Sequence, residues 1–476
     1  MKPYPYQETA IDFMTDLEAV LCADEMGLGK TVETVFTCQA VDAQKVLVVC
    51  PNSVKGVWEE HFNKIIPDIK TIVLDNKKRK DSWQLANELL TQATRATSGC
   101  VFIIHYEAAR ILYKEDPTFK QAFWDVMIVD ECHRLSNRKT QQTKAIFRLG
   151  RRATRRIALS GTPMDGEPWR LWSILHWLYP ETFTSYWNFY NTFCDSEFMG
   201  NYHKFKGPKN IDILKDKILS KCMIRRTKDV ALPDLPSKYT ENVHLDMTPE
   251  QQKAHDQMSK EMVAWLGRDE DDMLMAPVVV AQLTRLRQFA TAYCQTEGTF
   301  GEDDFKVQMV NPSNKLDALL EICAGTNGKK FVVFSQFKQM IKLLEQQLSN
   351  EYGPDSYVSL TGDTPAKLRP SIIKRFQQVT NTQQQPLTNN DPKFFLATIQ
   401  AGGEGITLTA ADTVIFLDRS WSPKDNLQAE DRLHRAGQKN AVQVINLLSK
   451  NSVDSYVDSV IQRKKSWMLD IIQNTN

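Results

Sequence analysis

The sequence predicts an α/β fold with two parallel-sheet domains and helical insertions. Three observations predict it. Short runs rich in apolar and β-branched residues recur in both halves of the 476-residue chain, separated by longer amphipathic stretches. Most of these runs are apolar on both faces, as strands of a parallel sheet are when helices cover each side. Polar residues able to do chemistry follow several runs directly, at the carboxyl ends where open α/β sheets bind ligands. A chain of this length accommodates two or three domains with sizeable cores.

The elements follow in chain order. Val46-Leu47-Val48-Val49-Cys50, Cys100-Val101-Phe102-Ile103-Ile104 and Val126-Met127-Ile128-Val129 are strands of a first sheet. Pro51-Asn52-Ser53, His105-Tyr106-Glu107 and Asp130-Glu131 follow them. From about Trp169 to Lys221 the text becomes aromatic and helical, with Trp169, Trp172, Trp177 and Trp187 as a core stripe. From Thr248 to about Tyr293 it stays helical, and Pro277-Val278-Val279-Val280 is the first strand-like run within it. After Gly328 the α/β rhythm returns with Phe331–Phe334, Tyr357–Leu360, Phe394–Ala397, Val414–Leu417 and Val442–Ile445. The Gln- and Asn-rich tract Gln377–Asp391 reads as a solvated loop. An amphipathic helix from about Val453 to Gln473 closes the chain. The expected domains are 1–240, with an insertion at about 165–222, a helical connector at 241–305, and 306–476.

Hydrophobic residues make up 42% and charged residues 25%, the balance of an ordinary globular protein. A net charge of only +1 means that any nucleic-acid surface must be a local patch. The apolar runs are too short to span a membrane and the N-terminus has no signal-peptide pattern, so a cytoplasmic protein is expected. The nine cysteines are scattered, without a Cys-x-x-Cys pair, and read as reduced core residues.

Asp24-Glu25-Met26-Gly27-Leu28-Gly29-Lys30-Thr31-Val32 has the form of a nucleotide-phosphate cradle. A glycine-bounded turn ending in Gly-Lys-Thr wraps backbone N–H groups around phosphates, and the helix opening after it adds its positive end. Lys30 reaches the β and γ phosphates of ATP in this reading, and the Thr31 hydroxyl holds Mg2+. The strict pattern has Gly six residues before Lys30, where Asp24 stands, so the turn must be built on Gly27 and Gly29. Asp130-Glu131-Cys132-His133 follows a strand: Asp130 can hold magnesium, and Glu131 can polarise an attacking water. Taken alone, such an acid pair is equally the dipole-stabilised start of a helix. Arg432 and Arg435 are expected at i and i+3 on one helical face, a pair suited to a γ-phosphate or, more blandly, a solvated basic face. Ala401-Gly402-Gly403-Glu404-Gly405 lets backbone approach a phosphate, or forms a structural turn.

With these pieces in order, the chain resembles the Swi/Snf family of DNA-translocating ATPases within helicase superfamily two, from about Tyr4 to Lys465. Tyr6-Gln7 resembles its adenine-reading segment, and Asp24 to Thr31 matches its phosphate loop as that family writes it. Asp130 to His133 matches its acid box, and Ser160-Gly161-Thr162-Pro163 the segment coupling nucleotide state to DNA. Met223 to Lys228 and Leu235-Pro236-Ser237-Lys238 look like its Arg-Arg-Thr-Lys and Leu-Pro-x-Lys signatures, joined by Asp418-x-x-Trp421 and the Arg432/Arg435 segment. Three segments depart from the pattern: Asp165-Gly166 replaces Gln-Asn, Thr407 replaces Asn, and Trp421-Ser422-Pro423 replaces Trp-Asn-Pro.

The resemblance implies two RecA-like domains facing one ATP cleft and DNA-stimulated hydrolysis of ATP that drives translocation along double-stranded DNA, forked or branched DNA included. Gln7, residues 24–31 and Gly405 are implied nucleotide contacts. Lys30, Glu131, Arg432 and Arg435 are implied catalytic residues, and Thr31 and Asp130 magnesium ligands. His133, Ser160 and Thr162 are implied to couple the sites, and Asn52, Ser53, Gln336 and Trp421 to grip DNA. A small monomeric motor of phage, bacterial or archaeal type is expected, with protein partners unspecified. The rival readings are a strand-separating or annealing helicase and a non-hydrolysing DNA clamp. The basic run Arg148, Arg151, Arg152, Arg155 and Arg156 reads as a solvated face before a phosphate contact, and Lys77-Lys78-Arg79-Lys80 as a loop.

Overall fold

The computed structural model describes residues 2–74, 99–200, 203–266, 276–298, 305–324, 326, 328–365, 367–378, 391–403 and 405–472. The Lys77–Lys80 run and positions 379–390 of the Gln/Asn tract lie outside the described residues. The chain divides into two compact units, residues 1–233 with 463–476, and residues 234–462.

The first unit is built on strands β1 (Ala19–Cys22), β2 (Lys45–Cys50), β3 (Lys70–Val73), β4 (Cys100–His105), β5 (Trp124–Asp130), β6 (Ala153–Leu159), β7 (Cys194–Phe198), β8 (His203–Pro208) and β9 (Met223–Ile224). All but β7 and β8 form one sheet in the order β3-β4-β2-β5-β6-β1-β9, and every pairing in it is parallel. Val20, Val46, Val48, Val101, Ile103, Val126 and Ile128 pack on one face with Trp58, Phe62 and Met14 from the covering helices.

The second unit holds β10 (Lys238–Leu245), β11 (Tyr293–Glu297), β12 (Lys306–Val310), β13 (Phe331–Ser335), β14 (Tyr357–Leu360), β15 (Phe394–Thr398), β16 (Thr413–Phe416) and β17 (Val442–Ser449). Its six-stranded sheet runs β10-β17-β16-β13-β15-β14, again parallel throughout. Phe331, Val333, Phe394, Leu396 and Ile415 enter one core. Their neighbours Val332, Phe334, Phe395, Ala397, Val414 and Phe416 enter another on the opposite face. That alternation explains why these strands are apolar at consecutive positions: both faces are buried.

The fold departs from the sequence reading in three places. The stretch expected to be wholly helical between Trp169 and Lys221 contains an antiparallel hairpin, β7–β8, bulged at Asp195/Ser196. Its strands are too short and too polar for the apolar periodicity test, and Phe205 is fastened by edge contact with Trp467 at 5.4 Å. The run Pro277–Val280 is helical, inside Ala276–Thr291, because Pro277 sits in the first turn, where a missing N–H costs nothing. Lys238–Leu245, largely within the expected helical connector, is an edge strand of the second sheet, and its residues are half-buried or exposed. The closing helix runs Val453–Ile472, and the division between the units falls within it.

The Asp165-Gly166 departure has a local cause in this helix. Gly166 lies against the Lys464 backbone, where a Cβ would meet Lys464 Cα at 3.0 Å, and Asp165 faces the Lys464 ammonium at 3.8 Å. At the other end, the fully buried Lys315 donates to Asp454 Oδ2 at 2.6 Å, and Ser449 N donates to the same oxygen at 3.0 Å. Asp454→Ala leaves that ammonium buried without its anion and should destabilise the second unit by about 3–5 kcal/mol. Urea unfolding followed by circular dichroism measures it, and Lys315→Met in the same chain should recover most of the loss.

Candidate active site

The phosphate loop spans the gap between β1 and the helix Lys30–Ala40. Gly27 and Gly29 both have φ of 91°, a left-handed conformation that favours glycine, so the turn is built where expected. Gln7 closes the loop from behind. It is buried, its Oε1 accepts from Tyr4 N at 3.0 Å, and its Nε2 donates to Leu28 O at 3.0 Å. Tyr6 donates its hydroxyl to the same carbonyl at 2.8 Å. A Cβ on Gly29 would collide with that Gln7 amide. Lys30 Nζ lies over the loop, donating to Asp24 O at 2.6 Å and Glu25 O at 3.1 Å.

The loop's acids do different work from its backbone. Asp24 is fully buried, and its carboxylate accepts from Arg226 N at 2.8 Å, from Arg226 Nε at 3.2 Å and from Arg226 Nη2. Arg226 also donates to Glu33 Oε1 at 2.8 Å, on the helix that the loop opens. Burial and the adjacent Asp24 carboxylate push Glu33 above the usual carboxylate range, with Arg226 opposing. Ligand atoms of Cys22, Asp24 and Glu33 lie within 4.8 Å of one another, as metal ligands would, but Arg226 already binds both carboxylates. Glu25 Oε2 accepts from Lys228 N at 2.7 Å. Arg225 donates to Ala23 O at 2.6 Å and Gly161 O at 3.1 Å, joining the loop to the Ser160–Thr162 segment. The Arg-Arg-Thr-Lys signature is therefore docked on the phosphate loop. Asp24 and Glu25 direct their carboxylates to that signature.

The acid box stands at the end of β5. Asp130 Oδ2 accepts from Trp58 Nε1 at 3.0 Å, and Oδ1 from Glu131 N at 2.9 Å. Burial, then the neighbouring Glu131 carboxylate, raises Asp130 well above its ordinary range, while Lys30 is close enough to oppose the shift. Glu131 has φ of 52°, a strained backbone for a non-glycine residue of the kind that clusters at functional sites. Tyr106 steadies it by donating to the carbonyls of Asp130 and Glu131, and burial keeps that phenol protonated. Glu131 Oε2 lies 3.1 Å from His133 Nδ1, which lies 3.1 Å from Ser160 Oγ, and Thr162 N donates to Ser160 Oγ at 3.2 Å. One polar chain thus joins Glu131, His133, Ser160 and Thr162. Thr31 and Asp130 offer hard oxygen ligands of the kind magnesium takes. The sequence places Tyr106 after its strand without assigning it a role, and Trp58 escapes it altogether, because nothing in a helical apolar stripe marks which ring will face an acid.

In the second unit, the helix Pro423–Glu430 ends before Arg432 and Arg435, so the expected shared helical face is corrected. Both arginines lie in the irregular turns that follow, and they converge on the glycine motif instead. Arg432 donates to Gln428 O at 3.0 Å, Ile406 O at 3.3 Å and Gly403 O at 2.6 Å, and Arg435 donates to Ile406 O at 3.2 Å. Burial depresses the Arg435 guanidinium, with Asp431 opposing. Gly405, with φ of 70°, is exposed beside them.

Asn52 and Ser53 are exposed in the short helical turn after β2. Gln336 and Trp421 are half-buried beyond β13 and β16. The basic run is dispersed: Arg148 lies over Tyr113, Arg152 over Phe123, and Arg155 donates to Thr15 O and Leu17 O. All nine cysteines are free and buried, as expected of core thiols. Among the described residues, no helix is long and apolar enough to cross a membrane. Arg226→Ala should destabilise the first unit by about 3–5 kcal/mol, because it leaves the Asp24 and Glu33 carboxylates buried without a cation. Thermal and urea unfolding would register it, and Asp24→Ala added to Arg226→Ala should cost less than the two singles summed.

Two family models match the chain: the SNF2-related domain over residues 6–296 and the helicase conserved C-terminal domain over residues 314–437. A relative from Xenopus tropicalis, "SWI/SNF-related matrix-associated actin-dependent regulator of chromatin subfamily A-like protein 1", is 28% identical over 97% of this chain and 44% of its own length. The "ISWI chromatin-remodeling complex ATPase ISW1" of Saccharomyces cerevisiae is 27% identical over 99% of this chain and 40% of its own length. The chain therefore spans less than half the length of these curated relatives. The solved "Sulfolobus solfataricus SWI2/SNF2 ATPase core in complex with dsDNA" is 27% identical, covering 99% of this chain and 94% of that one, with a TM-score of 0.43. With the SNF2-related model matching residues 6–296 on top of the phosphate loop and acid box, the chain belongs to the SNF2-related family.

Proposed function

We propose that this protein is a magnesium-dependent ATPase that couples hydrolysis to movement along double-stranded DNA. The observation that carries the reading is the placing of Lys30 within electrostatic reach of Asp130, with Glu131 next to Asp130 at the head of the His133–Ser160–Thr162 chain. In this reading Lys30 leaves the loop carbonyls for the β and γ phosphates of ATP, and the loop's N–H groups bind the remaining charge. Thr31 and Asp130 would hold magnesium, which would neutralise phosphate charge. Glu131 polarises the attacking water. His133, hydrogen-bonded to Ser160, transmits the state of that carboxylate toward Thr162. Arg432 and Arg435 stabilise developing charge on the γ-phosphate. Gln7 and Gly405 complete the nucleotide contacts, and Asn52, Ser53, Gln336 and Trp421 grip the duplex. The protein acts as a cytoplasmic monomer in this account, on plain, forked or branched duplex DNA.

Lys30→Ala and Glu131→Gln should both abolish turnover in different ways. Loss of Lys30 weakens ATP binding. Glu131→Gln still binds ATP and loses hydrolysis by about 10²–10⁴-fold, because only the base is removed. Nucleotide affinity and hydrolysis measured on each variant decide it, and brisk hydrolysis by Glu131→Gln rejects the assignment.

Duplex binding should be independent of sequence and steeply salt-dependent despite the net charge of +1. A motor must hold every step equally, so its contacts go to phosphates rather than base edges. Titrations of two unrelated duplexes across a salt series test this. A log–log salt slope near zero, or strong preference for one duplex, argues for a sequence-specific binder.

A further inference from the structure

Arg287, on the helix Ala276–Thr291, is 2% exposed. Its guanidinium lies 5.7 Å from the Phe337 ring centre and 5.3 Å from that of Trp421. Nη1 donates to Gln336 Oε1 at 2.8 Å, and Nη2 donates to Arg419 O and lies 3.7 Å from Asp418 Oδ1. Asp418 accepts in turn from Gln336 N at 2.9 Å and from the Ser335 hydroxyl. The loop after β13 and the loop after β16 thus close on one buried side chain from a helix outside the sheet.

The chemistry of that contact is directional. Arginine has donors and no acceptor, so the Gln336 atom facing it must be the carbonyl oxygen. Fixing Oε1 turns Nε2 away, and among the described residues no protein acceptor takes that N–H2. An amide held this way presents donors to an oxygen acceptor outside the protein. Trp421, whose ring centre lies 5.3 Å from the same guanidinium and which meets Tyr456 edge-on at 5.9 Å, is held with it.

We propose that Arg287 is a positioning residue that sets the Gln336 amide to donate to a phosphate oxygen of the nucleic-acid backbone and holds Trp421 beside it. The inference rests on the reading of Gln336 as a duplex grip. Arg287 itself does not touch DNA.

The test is duplex binding by Gln336→Ala, Gln336→Glu, Arg287→Gln and the double variant Arg287→Gln with Gln336→Ala, each across a salt series. Gln336→Ala should weaken binding about tenfold, the loss typical of a hydrogen bond to a charged group. Arg287→Gln should match it, and the double variant should be no weaker than either single, since both remove one interaction. The salt slope should stay unchanged in Arg287→Gln, because a buried guanidinium displaces no counterion from DNA. A slope smaller by about 1 would make Arg287 a direct phosphate contact and overturn the proposal. Losses that add in the double variant would also overturn it. Gln336→Glu guards against a misfolded Arg287 variant: it keeps the acceptor for Arg287 and removes the outward donor, so it should bind at least as poorly as Gln336→Ala. Wild-type affinity in Gln336→Glu overturns the inference. If Gln336→Ala binds normally, the grip reading itself fails; if Gln336→Ala is weak and Arg287→Gln is normal, only the positioning role fails.

Discussion

The buried pairing of Asp24 with Arg226 is the constraint on which the first unit's chemistry depends. Asp24 leaves β1 fully buried and accepts from both the backbone and the guanidinium of Arg226. The same guanidinium reaches Glu33 on the helix that the phosphate loop opens. Both ends of the loop are therefore fastened to one cation brought in from a distant part of the sequence. Replacing a buried ion pair by apolar residues is often neutral or stabilising, so its value here is geometric. A carboxylate that can accept only from donors in fixed places holds the loop in one conformation. The acid at position 24 thus has a structural reason where the strict phosphate-loop pattern has glycine.

The acid box is held on the same principle, by rigid neighbours rather than by its own propensities. Trp58 and Tyr106 come from helices on the sheet and fix Asp130 and Glu131 through single donors. The left-handed backbone at Glu131 is costly alone, and it persists because the phenol and the strand end over-determine it. The second unit repeats the device with Arg287, which gathers the loops after β13 and β16. In both units an arginine lying outside the principal strands organises the loops at their carboxyl ends. Loops there have few apolar contacts of their own, so a multi-donor side chain is an economical way to order them.

The closing helix adds a constraint that its amphipathic pattern does not disclose. Asp454, in its first turn, is anchored to Lys315, and Lys464 lies against Asp165 and Gly166. The glycine at position 166 permits a close backbone approach. This departure from the family pattern accompanies a particular packing partner.

Strand positions such as Val46–Cys50 and Phe331–Phe334, the phosphate loop and the acid box were legible in the sequence, because each is a local pattern. A strand buried on both faces must be apolar at consecutive positions, and a turn with backbone at φ near 91° must place glycine at Gly27 and Gly29. The hairpin Cys194–Pro208 was not legible, since short polar strands lack a period, nor was the helical state of Val278–Val280, which its neighbours decide. The sequence likewise placed Arg432 and Arg435 on a helix, where tertiary contacts with Gly403 O and Ile406 O hold them in turns beyond its end. The partners of Asp24, Asp130 and Gln336 were decided by tertiary structure alone. Arg226, Trp58 and Arg287 lie far from them along the chain, and no local rule specifies which distant donor will meet a buried acceptor.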